Sequence, residues 1–310
     1  MRGVVVLGGL NMDLIVETLQ PAVPGETREG TNFSTTPGGK GGNQAVAAAR
    51  ILDDRAPVGL VARVGGDAFG DELRSQLVGA GVDVGHVRSD AESASGVAVI
   101  FIDPAGENSV NAVYGANARC DRQQVSDALT ALADASVLLV QQEIPLDVTL
   151  EVMRAAHESG VTVILDPAPT RETLPDGFLA AADVLTPNEH EAGDLCGFAV
   201  VDADSARAAA RQLRGAGPST VIVTLAEAGA WVEAKGVSEL VAAPVVDAVA
   251  TVGAGDAFNG GLAAALAQEL DLRAAVRVGV ATGALCVTQP GAQTAMPVRA
   301  DVDALFAEGW

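Results

Sequence analysis

The run Thr251-Val252-Gly253-Ala254-Gly255-Asp256 carries the strongest chemical signal in the sequence. Two glycines permit a tight turn with free amides at the start of a helix. The positive end of that helix dipole favours an anion such as a transferring phosphoryl group. Asp256 would sit in the first helical turn, where a carboxylate takes a proton from an attacking hydroxyl while the Gly253, Ala254 and Gly255 amides hold developing charge. Read alone, the same carboxylate is an ordinary N-cap. Phe258 stands at the place of the last glycine of a dinucleotide fingerprint, and no Lys-Ser or Lys-Thr follows a GxxxxG, which excludes both a Rossmann cofactor loop and a P-loop.

A second glycine-rich stretch, Pro37-Gly38-Gly39-Lys40-Gly41-Gly42-Asn43-Gln44, runs into an alanine-rich segment. Its backbone can approach a ligand closely, and Lys40 and Asn43 offer donors to hydroxyls or phosphate; a flexible loop before a helix cap is the plainer alternative. Asn11 and Asp13 follow the first apolar run across Gly8-Gly9, a placement suited to a polyol because a carboxylate accepts paired hydroxyl bonds. Glu143 follows another apolar run and precedes Pro145, either at a strand end facing a ligand or in a solvated loop. In Thr186-Pro187-Asn188-Glu189-His190-Glu191, Asn188 and Glu191 share a face if a helix starts there. They would then serve a phosphate and a hydrated Mg²⁺, or else form a capping box. His190 has no second histidine at ligand spacing and reads as surface. Thr224-Leu225-Ala226-Glu227-Ala228-Gly229 follows a strand and could present backbone to a nucleotide.

The elements that must position these residues alternate. Short apolar or β-branched runs at Gly3 to Leu7, Ala56 to Ala62, Ser136 to Val140, Val161 to Asp166, Val184 to Thr186 and Thr220 to Thr224 read as buried parallel strands. Helical stretches fill the gaps: Gly42 to Leu52, Ala68 to Ala80, Asp121 to Leu132, Leu146 to Ser159, Asp204 to Arg214, Ala254 to Leu270 and Leu272 to Thr288. This pattern predicts an α/β protein with a parallel sheet covered by helices. Asp13 to Pro37 and Ser95 to Asn111 break the rhythm with alternating strands and turn signals at Pro24-Gly25 and Pro104-Ala105-Gly106, which suits a small projecting β-sheet. That sheet is either a lid over the strand ends or an oligomer contact. Ala230 to Leu240, with Lys235-Gly236 at its turn, reads as an edge hairpin.

Composition bounds the partners. The 310 residues, about half of them hydrophobic, are enough for a large core but short for two equal domains. Forty acidic against 19 basic residues give a formal charge of −21, which repels nucleic acid and anionic membranes at long range. An anionic nucleotide would need a local reversal of that field by amides, a lysine or a metal. Cys120, Cys196 and Cys286 lack disulfide or zinc spacing and read as reduced, buried thiols of a cytoplasmic protein. The first apolar run ends too early for a signal peptide, and no window reaches the length of a membrane span.

In their order and spacing these motifs resemble the ribokinase branch of the ribokinase-like carbohydrate kinases, over essentially the whole chain from Val6-Leu7-Gly8 to Pro297. The resemblance implies a three-layer α/β/α fold, one kinase domain over residues 1–310, and a β lid from about 13–37 and 95–115. It implies that Asn11, Met12, Asp13, Gly39, Lys40, Gly41, Gly42, Asn43, Glu143 and Asp256 hold the sugar. Asn188, Thr224 to Gly229 and Gly255 would take ATP, Glu191 would hold Mg²⁺ through water, and the lid would also form a homodimer. The segment Gly115-Ala116-Asn117-Ala118 favours this branch over adenosine or fructose kinases; the acceptor implied is ribose, with deoxyribose, a ketose or a nucleoside as alternatives. A non-catalytic sugar or nucleotide sensor would not need Gly253 to Asp256 beside Asn188 and Glu191. Three departures stand out. Ala250 replaces the Asp that ribokinases carry six residues before the base, Ala295 replaces a serine near the C-terminus, and Ala226 replaces the usual glycine of the nucleotide turn. The expected K⁺ site, at Val252, Cys286, Gln289 and Gly291, is thereby left mainly with backbone carbonyls.

Overall fold

The computed structural model describes residues 2–104, 108–307 and 309. Its centre is β1 (Gly3–Leu7), a run of apolar side chains buried on both faces. Val4 and Val6 turn toward one helical layer, Val5 and Leu7 toward the other, so a strand with no polar side can lie only inside a three-layer stack. Each such side chain contributes about 1.5–3 kcal/mol by leaving water.

Around β1 stand β4 (Val58–Gly65), β5 (Asp83–Asp90), β8 (Ala135–Val140), β9 (Thr162–Leu165), β10 (Val184–Leu185), β11 (Thr220–Thr224), β12 (Ala230–Ala234) and β13 (Val237–Val241). The nine strands run in the order β13-β12-β11-β10-β9-β8-β1-β4-β5. The seven from β11 to β5 are parallel, while β12 and β13 add an antiparallel hairpin at one edge. One face is covered by α1 (Lys40–Leu52), α2 (Ala68–Gly79), α7 (Ala254–Ala267), α8 (Leu272–Cys286) and α9 (Arg299–Ala307). The other carries α3 (Arg122–Ala131), α4 (Leu146–Glu158), α5 (Glu189–Cys196) and α6 (Ala203–Arg214). Reciprocal capping boxes start α3, at Asp121 and Gln124, and α6, at Asp202 and Ser205.

Four more strands, β2 (Asn11–Glu17), β3 (Asn32–Gly38), β6 (Gly96–Ile102) and β7 (Asn108–Val113), form a separate sheet in the order β3-β2-β6-β7. These are the segments that interrupt the helical rhythm of the sequence. The β2–β6 pair is parallel and the outer pairs are antiparallel. Of the turn expected at Pro104-Ala105-Gly106, Ala105 and Gly106 lie outside the described residues.

Two elements escape the sequence reading. Strand β5, Asp-Val-Gly-His-Val-Arg-Ser-Asp, is a sheet edge that alternates polar residues with few apolar ones. Helix α9 is short and mostly exposed, anchored by buried Val302. Boundaries also shift. β4 starts at Val58 rather than Ala56 and continues to Gly65, α7 stops at Ala267 and α8 at Cys286.

Candidate active site

The carboxyl ends of the parallel strands deliver the polar residues. β1 leads through Gly8-Gly9 to Asn11, β8 to Glu143, β9 to Asp166, β10 to Asn188, and β11 to the turn after Thr224. This is where open parallel sheets bind ligands, because strand ends and helix N-termini leave backbone groups unpaired there.

Gly39 at φ 84° is the residue before α1, and a Cβ on it would fall 2.6 Å from the Asn11 nitrogen. Only glycine allows that approach. Gly39 has no side chain to cap α1, and Glu143 does so from across the sheet: its Oε2 accepts from the Lys40 N–H at 2.7 Å and its Oε1 from Asn11 Nδ2 at 3.2 Å. Glu143 is therefore a buried, bonded carboxylate rather than a solvated loop residue. Asn117 accepts from the Leu10 N–H at 2.9 Å and donates to Asn11 Oδ1 at 2.9 Å, which aims the Asn11 amide nitrogen at Glu143.

Asp256 lies in the first turn of α7, behind Gly253 at φ 81°, and is 6 % exposed. Its Oδ2 accepts from Asn43 Nδ2 at 2.8 Å and its Oδ1 from Gln44 Nε2 at 3.0 Å. Lys40 Nζ stands 3.8 Å from Asp256 Oδ1 and 3.6 Å from Asp166 Oδ2, with 30 % of its side chain still open. Burial opposes the Lys40 charge, but Asp166, Asp256, Glu191 and Glu143 together outweigh it and hold the ammonium well above the usual lysine range. The carboxylates are raised as well, which for them favours the neutral form. Burial, then Glu143 and Asp256, raise Asp13 to about 7. Burial also raises Glu143, against the pull of Lys40.

On the next strand ends, Asn188 and Glu191 form the capping box: Asn188 Oδ1 accepts from the Glu191 N–H at 2.8 Å and Glu191 Oε2 from the Asn188 N–H at 2.9 Å. Glu191 is raised by burial, against the Asn188 hydrogen bond and the attraction of Lys40, so capping and proximity to the lysine coexist. Thr186 Oγ1 donates to Asn259 Oδ1 at 2.7 Å, and Asn259 Nδ2 to the Gly255 carbonyl at 3.0 Å, tying this segment to α7. The turn Thr224 to Gly229 pairs beside Asn188 and closes with Leu225 N–H on the Gly229 carbonyl at 2.8 Å. Ala226 sits there at φ 45°, the left-handed region, which is the physical reason a glycine suits the position.

The expected residues do not all present side chains. Met12 is fully buried in the core, and Leu225 packs into the opposite layer, so each can offer only backbone. Gly41 and Gly42 belong to α1, and a Cβ on either would meet Gly8 or Leu10 at 2.7 Å; their smallness serves helix packing. The cation positions also fare poorly. Ala250 and Ala295 bring no side-chain oxygen, Val252 is half exposed, and the Cys286 carbonyl accepts from the Gln289 N–H, with Gly291 beyond it in a left-handed turn. These residues do not fit a side-chain-liganded potassium ion. All three cysteines are free, Cys120 and Cys286 buried and Cys196 half-buried; His190 is exposed.

Gln44, Asp166, Gln141 and Asn117 join the site without having been singled out for it. Asp166 carried the available signal, a carboxylate at the end of an apolar strand. Among the described residues no group of three or more histidine, cysteine or acidic side chains is arranged to hold a metal by itself, and no helix is long and apolar enough to cross a membrane.

The pfkB family carbohydrate kinase model matches residues 1–299. The ribokinase of Haemophilus influenzae is 37 % identical over 294 residues, covering 95 % of each chain. A deoxyribokinase of Salmonella typhi is 35 % identical over 294 residues, again covering 95 % of each. The solved structure of Arabidopsis thaliana ribokinase complexed with ribose and ATP superposes with a TM-score of 0.90 at 32 % identity, covering 98 % of each chain.

Proposed function

The chain belongs to the pfkB family of carbohydrate kinases, and on that premise we propose that it transfers the γ-phosphoryl group of ATP to the 5-hydroxyl of D-ribose, yielding D-ribose 5-phosphate and ADP. The observation that carries this reading is the buried Asp256 carboxylate at the start of α7, held by Asn43, Gln44 and Lys40 on the same strand-end rim as the Asn11, Asp13 and Glu143 cluster.

Asn11, Asp13, Asn43 and Glu143 bind the sugar, with the Gly39 to Gly42 backbone beside them. Asp256 takes the proton of the attacking hydroxyl. The sugar oxygen then bonds to the γ-phosphorus as the bond to the bridging β–γ oxygen breaks, and ADP leaves. The Gly253 and Gly255 amides, on the positive end of α7, stabilise the charge on the transferring group, while the Ala254 N–H is turned onto the Thr251 carbonyl at 3.3 Å. Asn188 and the turn from Thr224 to Gly229 receive the nucleotide, and Lys40 adds local positive charge against the net charge of −21. Glu191, an oxygen donor within reach of the Lys40 field, fits a hydrated Mg²⁺, which would neutralise phosphate charge there.

The whole chain acts as one kinase domain whose four-stranded sheet serves as a lid, excluding water from the transfer. Phe33 and Val113 are exposed on one face of that sheet, at 63 and 59 %, and supply apolar surface for a homodimer. Three free thiols suit the cytoplasm. Deoxyribose is the second reading, favoured by the similarity to a deoxyribokinase. An ADP-release assay over pentoses, hexoses and nucleosides decides the acceptor: ribose is expected to give the highest kcat/KM, and a higher value for deoxyribose reverses the assignment. Asp256→Asn is expected to lower kcat by about 10²–10⁴-fold with little change in ATP binding. Near-normal turnover would remove Asp256 as the base.

A further inference from the structure

Asp166 ends the strand segment that carries β9, and the transfer chemistry above gives it no task. Its carboxylate is 4 % exposed, accepts from Gln44 Nε2 at 2.7 Å and stands 3.6 Å from Lys40 Nζ. The same two donors serve the base: Gln44 Nε2 reaches Asp256 Oδ1 at 3.0 Å and Lys40 Nζ lies 3.8 Å from that oxygen. Gln44 is completely buried and its Oε1 accepts from Gln141 Nε2, so its nitrogen has to face the two carboxylates, which only accept. Asp166 and Asp256 thus share two donors, Gln44 and Lys40, while Asn43 serves Asp256 alone; a shared donor held by one carboxylate is held back from the other.

We propose that Asp166 is a positioning residue for Asp256: it keeps Gln44 and Lys40 between the two carboxylates, so that neither donor settles wholly on the base and Asp256 retains a lone pair for the sugar hydroxyl. Without the Asp166 charge, Lys40 is drawn onto Asp256 alone, and without its oxygens Gln44 has one acceptor instead of two. The charged groups that face Asp166 are Lys40 from α1, Glu191 from α5 and Asp256 from α7. Burial raises Asp166 to about 7; Lys40 opposes that rise, and Glu191 and Asp256 add to it. Its hold on the lysine therefore changes across neutral pH.

This inference rests on Asp256 being the base, which Asp256→Asn tests separately. The measurement is steady-state kinetics with sugar and Mg-ATP over a range of about pH 6 to 9. Asp166→Ala is expected to lower kcat by about tenfold or more while the sugar KM moves less than about threefold, since misplacement of a base acts on turnover rather than binding. Asp166→Asn keeps an oxygen for Gln44 but not the charge that holds Lys40, and its kcat at the pH plateau is expected to lie between those of the Ala variant and the unsubstituted enzyme. Its acid limb should move down by about half a pH unit or more, because one negative charge fewer surrounds the remaining carboxylates. Wild-type kcat in the Ala variant, an Asn variant no better than Ala, a loss confined to KM, or an unmoved limb would each overturn the proposal. Should the Ala variant not fold, the limb of the Asn variant decides alone. If instead Asp256→Asn turns over normally, the base assignment fails whatever Asp166 does.

Discussion

With Asp13 in the sugar-holding role proposed for it, its carboxylate is expected to make sugar affinity a function of pH. It lies on β2 packed over Gly38, where a Cβ would fall 2.3 Å from Oδ2, and burial together with Glu143 and Asp256 brings it from the ordinary 3.8 to about 7. Only the ionised form presents both of its oxygens as acceptors, and charge-assisted hydroxyl bonds to it are the stronger ones. One pH unit below that value about a tenth of the molecules carry the charge, and one unit above about nine-tenths, so sugar affinity should strengthen about tenfold between pH 6 and 8. Isothermal titration with ribose in two buffers of different ionisation enthalpy measures both quantities. About one proton should be released per sugar bound near pH 6, falling toward none above pH 8. Asp13→Asn should flatten the pH dependence and weaken binding at the alkaline end. An affinity that is level across this range, with no proton released, would refute the argument that Asp13 binds sugar as a charged acceptor. The same shift has a stability consequence of definite sign. A carboxyl raised by folding stabilises the protein below its unfolded value and loses that contribution as pH rises through the folded one. Asp13 and Asp166 should therefore make the sugar-free melting temperature fall from about pH 5 to about pH 8.

Further tests address the anion hole, the cation and the projecting sheet. A Cβ on Gly255 meets nothing within 4 Å, so Gly255→Ala should fold as well as the parent or gain up to about 1 kcal/mol of helix propensity. With the phosphoryl group docked at this helix start as proposed, the added methyl should crowd it and kcat should drop by about tenfold or more at an unchanged melting temperature; undiminished turnover would place the anion elsewhere. With Ala250 and Ala295 at the cation positions, adding potassium to an assay free of sodium and potassium should change the rate less than about twofold, and a steep rise would show that carbonyls suffice. Phe33→Glu, at an exposed position, should shift the protein toward monomer in sedimentation without unfolding it, whereas an unaltered sedimentation coefficient would move the dimer contact off this sheet.

Much of the architecture was legible because it rests on local rules. Val4 to Leu7 and Leu138 to Val140 have no polar side, which forces a doubly covered parallel sheet, and the segments around β2 and β6 break the helical rhythm between turn signals, which marks a separate sheet. β5 and α9 were illegible for the converse reason: edge and surface elements bury too little to write a pattern. Gly253 to Asp256 announced a helix start from sequence alone, since glycine spacing is a local property, and the anion hole proposed there rests on the polarity of that helix. What the sequence left open was whether each carboxylate was a cap, a loop residue or part of the site. Glu143 capping α1 across 103 residues of chain, Asn117 aiming Asn11 from 106 residues away, and Asp166 sharing Gln44 with Asp256 are long-range pairings that no spacing rule encodes. Folding brings them together because the strand ends converge on one rim, and burial there sets the charges. The turn at Asp256 was written in the sequence; the donors it shares, and with which partner, belong to the tertiary structure.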